Sequence, residues 1–133
     1  MSISHIPNGF TSITPYFIVE NAERFISFIK EAFDAEQFEM HVEDGVIRHF
    51  GFRMFGSVIE GSQSNDRYKK TKFSIHLYVE DCEAVYKKAL AAGGISLLEV
   101  ADMPYGERSG GIEDPCGNSW WIATQTKDMY PLD

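Results

Sequence analysis

The side chains best equipped for chemistry sit in β-rich runs. His49 lies in the run 46–54, Glu60 near the end of 57–61, and His76 in the middle of 73–79. Imidazole and carboxylate together are ligand types for a divalent metal. Tyr16, Tyr78 and Trp121 occupy similar runs. Aromatic walls with a few convergent polar groups are the usual make-up of a small-molecule site. The candidate ligand-binding residues are therefore Tyr16, His49, Glu60, His76, Tyr78 and Trp121. Each also has a plain reading: a strand histidine held by a hydrogen bond, a solvated carboxylate, or aromatics that fill their own cavity. His5, in the N-terminal stretch, and His41, beside a turn, carry no signal.

Other chemistries find less support. Ser57, Ser109 and Ser119 lack the G-x-S-x-G context of a nucleophile elbow. Gly106, Gly110 and Gly111 form no phosphate-binding motif and read as turn and bulge glycines. Cys82 and Cys116 are too few for a disulfide framework and form no CxxC pair, so both read as reduced thiols. The formal charge is -8 and the sequence pI about 4.9. Such a chain repels phosphate backbones, and no nucleic-acid partner is expected. Its basic cluster, Arg67-Tyr68-Lys69-Lys70-Thr71-Lys72, reads as a solvated linker. No apolar run reaches the length of a membrane span. The stretch 1–8 has neither the basic nor the apolar region of a signal peptide, so a cytoplasmic location is the default expectation.

A repeat positions the candidates. Val19-Glu20-Asn21-Ala22-Glu23 reappears as Val79-Glu80-Asp81-Cys82-Glu83, each copy following a β-rich run, 13–19 and 73–79. An amphipathic helix follows each time. Phe25, Phe28, Ile29, Ala32 and Phe33 make the buried stripe of the first, with Asn21 as cap and a weak stop at Asp34. Val85, Ala89 and Ala92 make that of the second, with Asp81 as cap and Gly93-Gly94 as stop. Three strand-like segments come after each helix: 37–42, 46–54 and 57–61, then 96–101, 107–112 and 119–124. Asp44-Gly45 between two β-rich runs is a strong hairpin signal. With 133 residues and 44% hydrophobic content, the chain reads as one α+β domain of two βαβββ modules. Module one spans about 11–61, a linker 62–72, module two about 73–125, and a loose tail 126–133.

This ordered set resembles the glyoxalase, bleomycin-resistance and extradiol-dioxygenase superfamily, also called vicinal oxygen chelate, and within it the PhnB-like branch. The carrying segments are Thr14-Pro15-Tyr16-Phe17-Ile18-Val19, Phe28 to Glu36, Ile47-Arg48-His49-Phe50, His76-Leu77-Tyr78-Val79-Glu80-Asp81 and Tyr105 to Thr124. Asp34 and Asn118 depart from the Gly and His that family members often carry there. The resemblance implies a curved, partly open eight-stranded mixed sheet, a cup lined by both modules, and a homodimer, sometimes with modules exchanged.

Metal-dependent members place one ligand on the first and one on the fourth strand of each module. Those positions fall here at Thr14, Ser74, Glu60 and Trp121. Only Glu60 is a competent ligand, so the usual metal site is expected to be absent and no cofactor is expected. An unconventional site could combine His76, which shares a strand face with Ser74, with Glu60 and His49. Three functions compete. The first is a metal-free binder of a small planar or cationic molecule in the cup, favoured by the acidic charge and the aromatics. The second is a metal-dependent lyase, isomerase or dioxygenase, and the third a non-enzymatic dimeric scaffold.

Overall fold

The structure, a computed structural model, describes residues 2–132; Met1 and Asp133, the outermost residues of the N-terminal stretch and the tail, lie outside the described residues. Strand β1 (Tyr16–Val19) leads into helix α1 (Ala22–Phe33), followed by β2 (Glu36–Glu43), β3 (Val46–Met54) and β4 (Ser57–Gln63). The same order returns as β5 (Ser74–Tyr78), α2 (Cys82–Ala91), β6 (Ile95–Met103), β7 (Glu107–Glu113) and β8 (Ser119–Gln125). This is the expected pair of βαβββ modules. The eight strands divide into two four-stranded mixed sheets, ordered β1-β4-β3-β2 and β5-β8-β7-β6. In each the first strand runs parallel to the fourth and the remaining pairs are antiparallel.

Local chemistry sets the helix ends. Asn21 and Asp81 accept hydrogen bonds from Arg24 N and Ala84 N, filling two donors that a helix start leaves open. Asp34 ends α1 in the left-handed conformation at φ 52°, and Asp44-Gly45 turns the β2–β3 hairpin at φ 53° and 76°. A turn with both central residues in that region matches the twist of the strands it joins. The buried face of α2 is Cys82, Tyr86 and Ala89, continued by the buried C-cap Ala92, with Val85 only partly covered. The expected stripe missed Tyr86, whose hydroxyl bonds Ser96 Oγ at 2.6 Å and so tolerates partial burial.

Both modules share one core. Phe17 and Phe50 of the first sheet, Trp120 and Ile122 of the second, and Phe25, Phe28 and Ala89 of the helices belong to one buried cluster. Phe17 and Trp120 stack across the module boundary at 5.8 Å and 5°. The linker is tied down rather than merely solvated: Thr71 N donates to Ile18 O along the free edge of β1, and Ser64 N donates to Val19 O. Asn65 fixes a turn by accepting from Arg67 N and Tyr68 N at 3.0 and 2.7 Å. The tail is partly held too, since Thr126 N and Lys127 N both donate to Gly106 O.

Candidate functional site

Side chains alternate along a strand, so each sheet turns one face to the shared core and one away from it. The candidate residues all lie on the faces turned away. In the first sheet Tyr16 pairs with Glu60 and Glu60 with Gly51. His49 Nε2 lies 2.8 Å from Glu60 Oε2, and the Tyr16 ring is tilted against the imidazole at 5.8 Å. His49 Nδ1 is buried and has no hydrogen-bond partner among the described residues. Glu39 Oε1 lies 3.2 Å from it, close enough for charge attraction but outside hydrogen-bonding geometry. One imidazole thus sits between two carboxylates, one of which, Glu39, no sequence signal pointed to.

The second sheet carries a different arrangement at matching positions. His76 pairs with Trp121, and Trp121 with Gly111. Trp121 Nε1 donates to Ser74 Oγ at 2.8 Å. The indole lies flat over Gly111, where a Cβ would run into its ring. Gly110 and Gly111 lie inside β7, with the register irregularities on β6 opposite them. They are therefore close-approach glycines rather than the expected turn and bulge residues. His76 stacks on Tyr78 at 4.5 Å and 14°, and its Nε2 lies 3.2 Å from Glu107 Oε2. Glu107 is a buried carboxylate that sequence reasoning did not single out.

The six candidates thus fall into two groups of three, Tyr16, His49 and Glu60 on one sheet and His76, Tyr78 and Trp121 on the other. Among the described residues no hydrogen bond or ion pair joins the groups. The carboxylate beside His76 is Glu107, so the combination of His76 with Glu60 and His49 is not assembled within this chain. The single cup expected between the modules resolves into separate cavities. One of about 490 Å³ is bounded by Tyr16, Ile18, Arg48, Ser62, Gln63, Asn65 and Tyr68. A seam cavity of about 200 Å³ is lined by His76, Ile59, Ile75 and Trp120 among others. A third, of about 800 Å³, opens between Tyr78, Phe55 and the tail residue Tyr130. Its Thr124 hydroxyl is already engaged, donating to Val79 O and accepting from Cys82 N. The first of these meets the His49–Glu60 pair through Tyr16, which lines the cavity and rests its ring on the imidazole.

Cys116 is no nucleophile candidate. Burial pushes its thiol above the ordinary range, which lowers the thiolate fraction at neutral pH.

The glyoxalase family model, described as glyoxalase/bleomycin resistance protein/dioxygenase superfamily, matches residues 9–122. The chain belongs to this superfamily. A Mycobacterium bovis relative, the uncharacterized protein Mb0911c, is 26% identical over 130 residues, covering 89% of this chain and 86% of that protein. TioX from Micromonospora sp. ML1 superimposes with a TM-score of 0.75 at 17% identity, covering 86% of this chain and 98% of TioX. A PhnB protein from Bacillus cereus does so with a TM-score of 0.69 at 25% identity, covering 86% and 99%. That neighbour agrees with the PhnB-like resemblance drawn from the sequence.

The superfamily's metal can be tested against this chain's own donor set. Trp121 offers only an indole N–H, and that is donated to Ser74. Thr14 precedes β1 and contributes no anionic oxygen. Glu60 is the remaining ligand type, and its Oε2 is bonded to His49. This set does not fit a transition metal, which needs about three protein ligands.

Proposed function

We propose that this chain is a small-molecule-binding member of the superfamily that works without the usual metal site. The supporting observation is Tyr16, which lines the cavity of about 490 Å³ while its ring rests against His49, itself held by Glu60. A ring face beside a fixed polar pair favours a planar ligand with one or two hydrogen-bonding groups. The protein works as a homodimer in this reading. Tyr16 and Tyr78 are 39% and 58% exposed in one chain, and a second copy would close these faces and exclude water from the ligand.

Isothermal titration with small naphthalene derivatives tests the binding. At least one should bind wild-type protein at a sub-millimolar Kd, and Tyr16→Ala should weaken it about tenfold, the loss of roughly 1.4 kcal/mol. Metal content of protein purified without chelator should be substoichiometric, and the mass in solution should be that of a dimer. A full equivalent of zinc, manganese or iron that disappears in Glu60→Ala would sink the metal-free reading.

A further inference from the structure

The charge of the ligand can be read from Arg48. This residue sits at an irregularity in the β2–β3 ladder: His41 pairs with His49 and Val42 with Ile47, leaving Arg48 as the extra residue. A bulge interrupts strict alternation and re-aims a side chain. Arg48 and its neighbour His49 therefore both serve the face turned away from the core, and Arg48 lines the cavity with Tyr16, Ile18, Ser62, Asn65 and Tyr68.

The other arginines are engaged. Arg24 donates to Ala92 O, Arg53 lies over the Phe38 ring, Arg67 over Tyr68, and Arg108 binds Glu83 and Asp102. Arg48 has no ion pair or aromatic stack among the described residues. Glu60 and Glu39, on the same sheet, flank His49 instead. The linker that brings Asn65 and Tyr68 to the cavity also carries Arg67, Lys69, Lys70 and Lys72 beside a single Asp66, and Lys70 pairs with Glu20. The densest basic stretch of an acidic chain thus borders this one cavity.

We infer that the ligand is a planar aromatic acid, its carboxylate bound by the Arg48 guanidinium and its ring set against Tyr16 and Tyr68. A guanidinium fork matches a carboxylate in two parallel hydrogen bonds. The acid end lies toward Arg48, the one charged side chain among the residues that line this cavity. The inference rests on the binding reading above and replaces the cationic ligand that net charge alone suggests. Overall charge governs the distant field, whereas a contact within a few ångströms is set by local groups.

Isothermal titration with 2-naphthoate, 2-naphthamide and 2-naphthylmethylammonium isolates the charge, because the three share a ring system. Naphthoate should bind at least tenfold more tightly than the amide, and the ammonium should bind weakest. Arg48→Gln should reduce naphthoate to the amide's affinity, and Arg48→Lys should keep part of the preference. Circular dichroism melting of both variants checks that they fold. Equal binding of acid and amide, or tightest binding of the ammonium, overturns the anionic ligand and leaves the binding reading intact. A preference for naphthoate that survives Arg48→Gln in a folded protein overturns the role of Arg48. Failure of all three probes to bind overturns both readings.

Discussion

The two modules repeat a backbone but not a chemistry. Tyr16, Gly51 and Glu60 of the first occupy the register positions of His76, Gly111 and Trp121 in the second. The first module thus presents a carboxylate–imidazole pair, and the second an indole plate bonded to a serine. In both, the glycine of β3 or β7 lets a large ring lie on the sheet, Phe38 over Gly51 and Trp121 over Gly111. The backbone is constrained by the core it must share, while the far faces carry no such constraint and are free to diverge. That freedom is what allows one fold to host many activities.

The modules also differ in how the turn before their last strand is held. Module two buries Asp114, which accepts from Trp120 Nε1 at 2.8 Å, from the Asn118 side chain, and from the backbone N–H groups of Cys116 and Asn118. Asn118 Oδ1 in turn accepts from Phe73 N, tying the start of module two to the turn. Module one has only the short Phe55-Gly56 turn at this place, with φ 51° and 74°. The comparison breaks most sharply at this point. Asp114→Ala should lower unfolding stability in urea by roughly 3 kcal/mol or more, since each orphaned buried donor costs about 1–3 kcal/mol. A loss under ~1 kcal/mol would mean that water replaces the carboxylate and that the network is not what fixes the turn.

A smaller effect should separate the two glycines. Gly111→Ala must displace an indole pinned by Ser74, at a cost of about 1–3 kcal/mol with a change in tryptophan emission. Gly51→Ala moves Phe38, which carries a stack with Arg53 and an edge contact from Phe10 but no polar anchor among the described residues, and should cost less. Chemical denaturation of the pair gives the ranking, and the reverse order would place the tighter face in module one. The smallest effect concerns the helix ends. Asp34 holds φ 52°, a conformation glycine adopts without penalty, so Asp34→Gly should raise stability by roughly 0.5–1 kcal/mol. The exposed Lys88–Asp34 pair at 2.9 Å offsets a few tenths of that. A melting temperature that falls would show that the ion pair outweighs the backbone strain.

Much of this architecture was legible in the sequence because it rests on local rules. The repeated Val-Glu-Asn/Asp caps, the Phe25–Phe33 stripe and the Asp44-Gly45 turn each follow from short-range sterics and hydrogen bonding. Strand ends drifted by one to three residues, as with β4 running on to Gln63, because ladder pairing rather than composition decides where a strand stops. The candidate site was legible as a set of residues but not as a grouping. His49 and Glu60 could be named, yet their contact depends on the β3–β4 register. Glu107, Glu39 and Arg48 drew no attention, because a carboxylate on a strand and an arginine at a bulge look like ordinary surface residues until the ladder is known.

The two βαβββ modules, their caps and hairpins, and the strands that carry aromatic and ionisable side chains follow from the order of residues alone, because hydrophobic period and turn chemistry act over a few residues. Long-range packing set the rest: His49 meets Glu60 while His76 meets Glu107, Trp121 is committed to Ser74, and Arg48 has no ion-pair partner among the described residues. Those contacts join residues far apart in the chain, and their geometry is fixed by sheet register and by packing of the shared core.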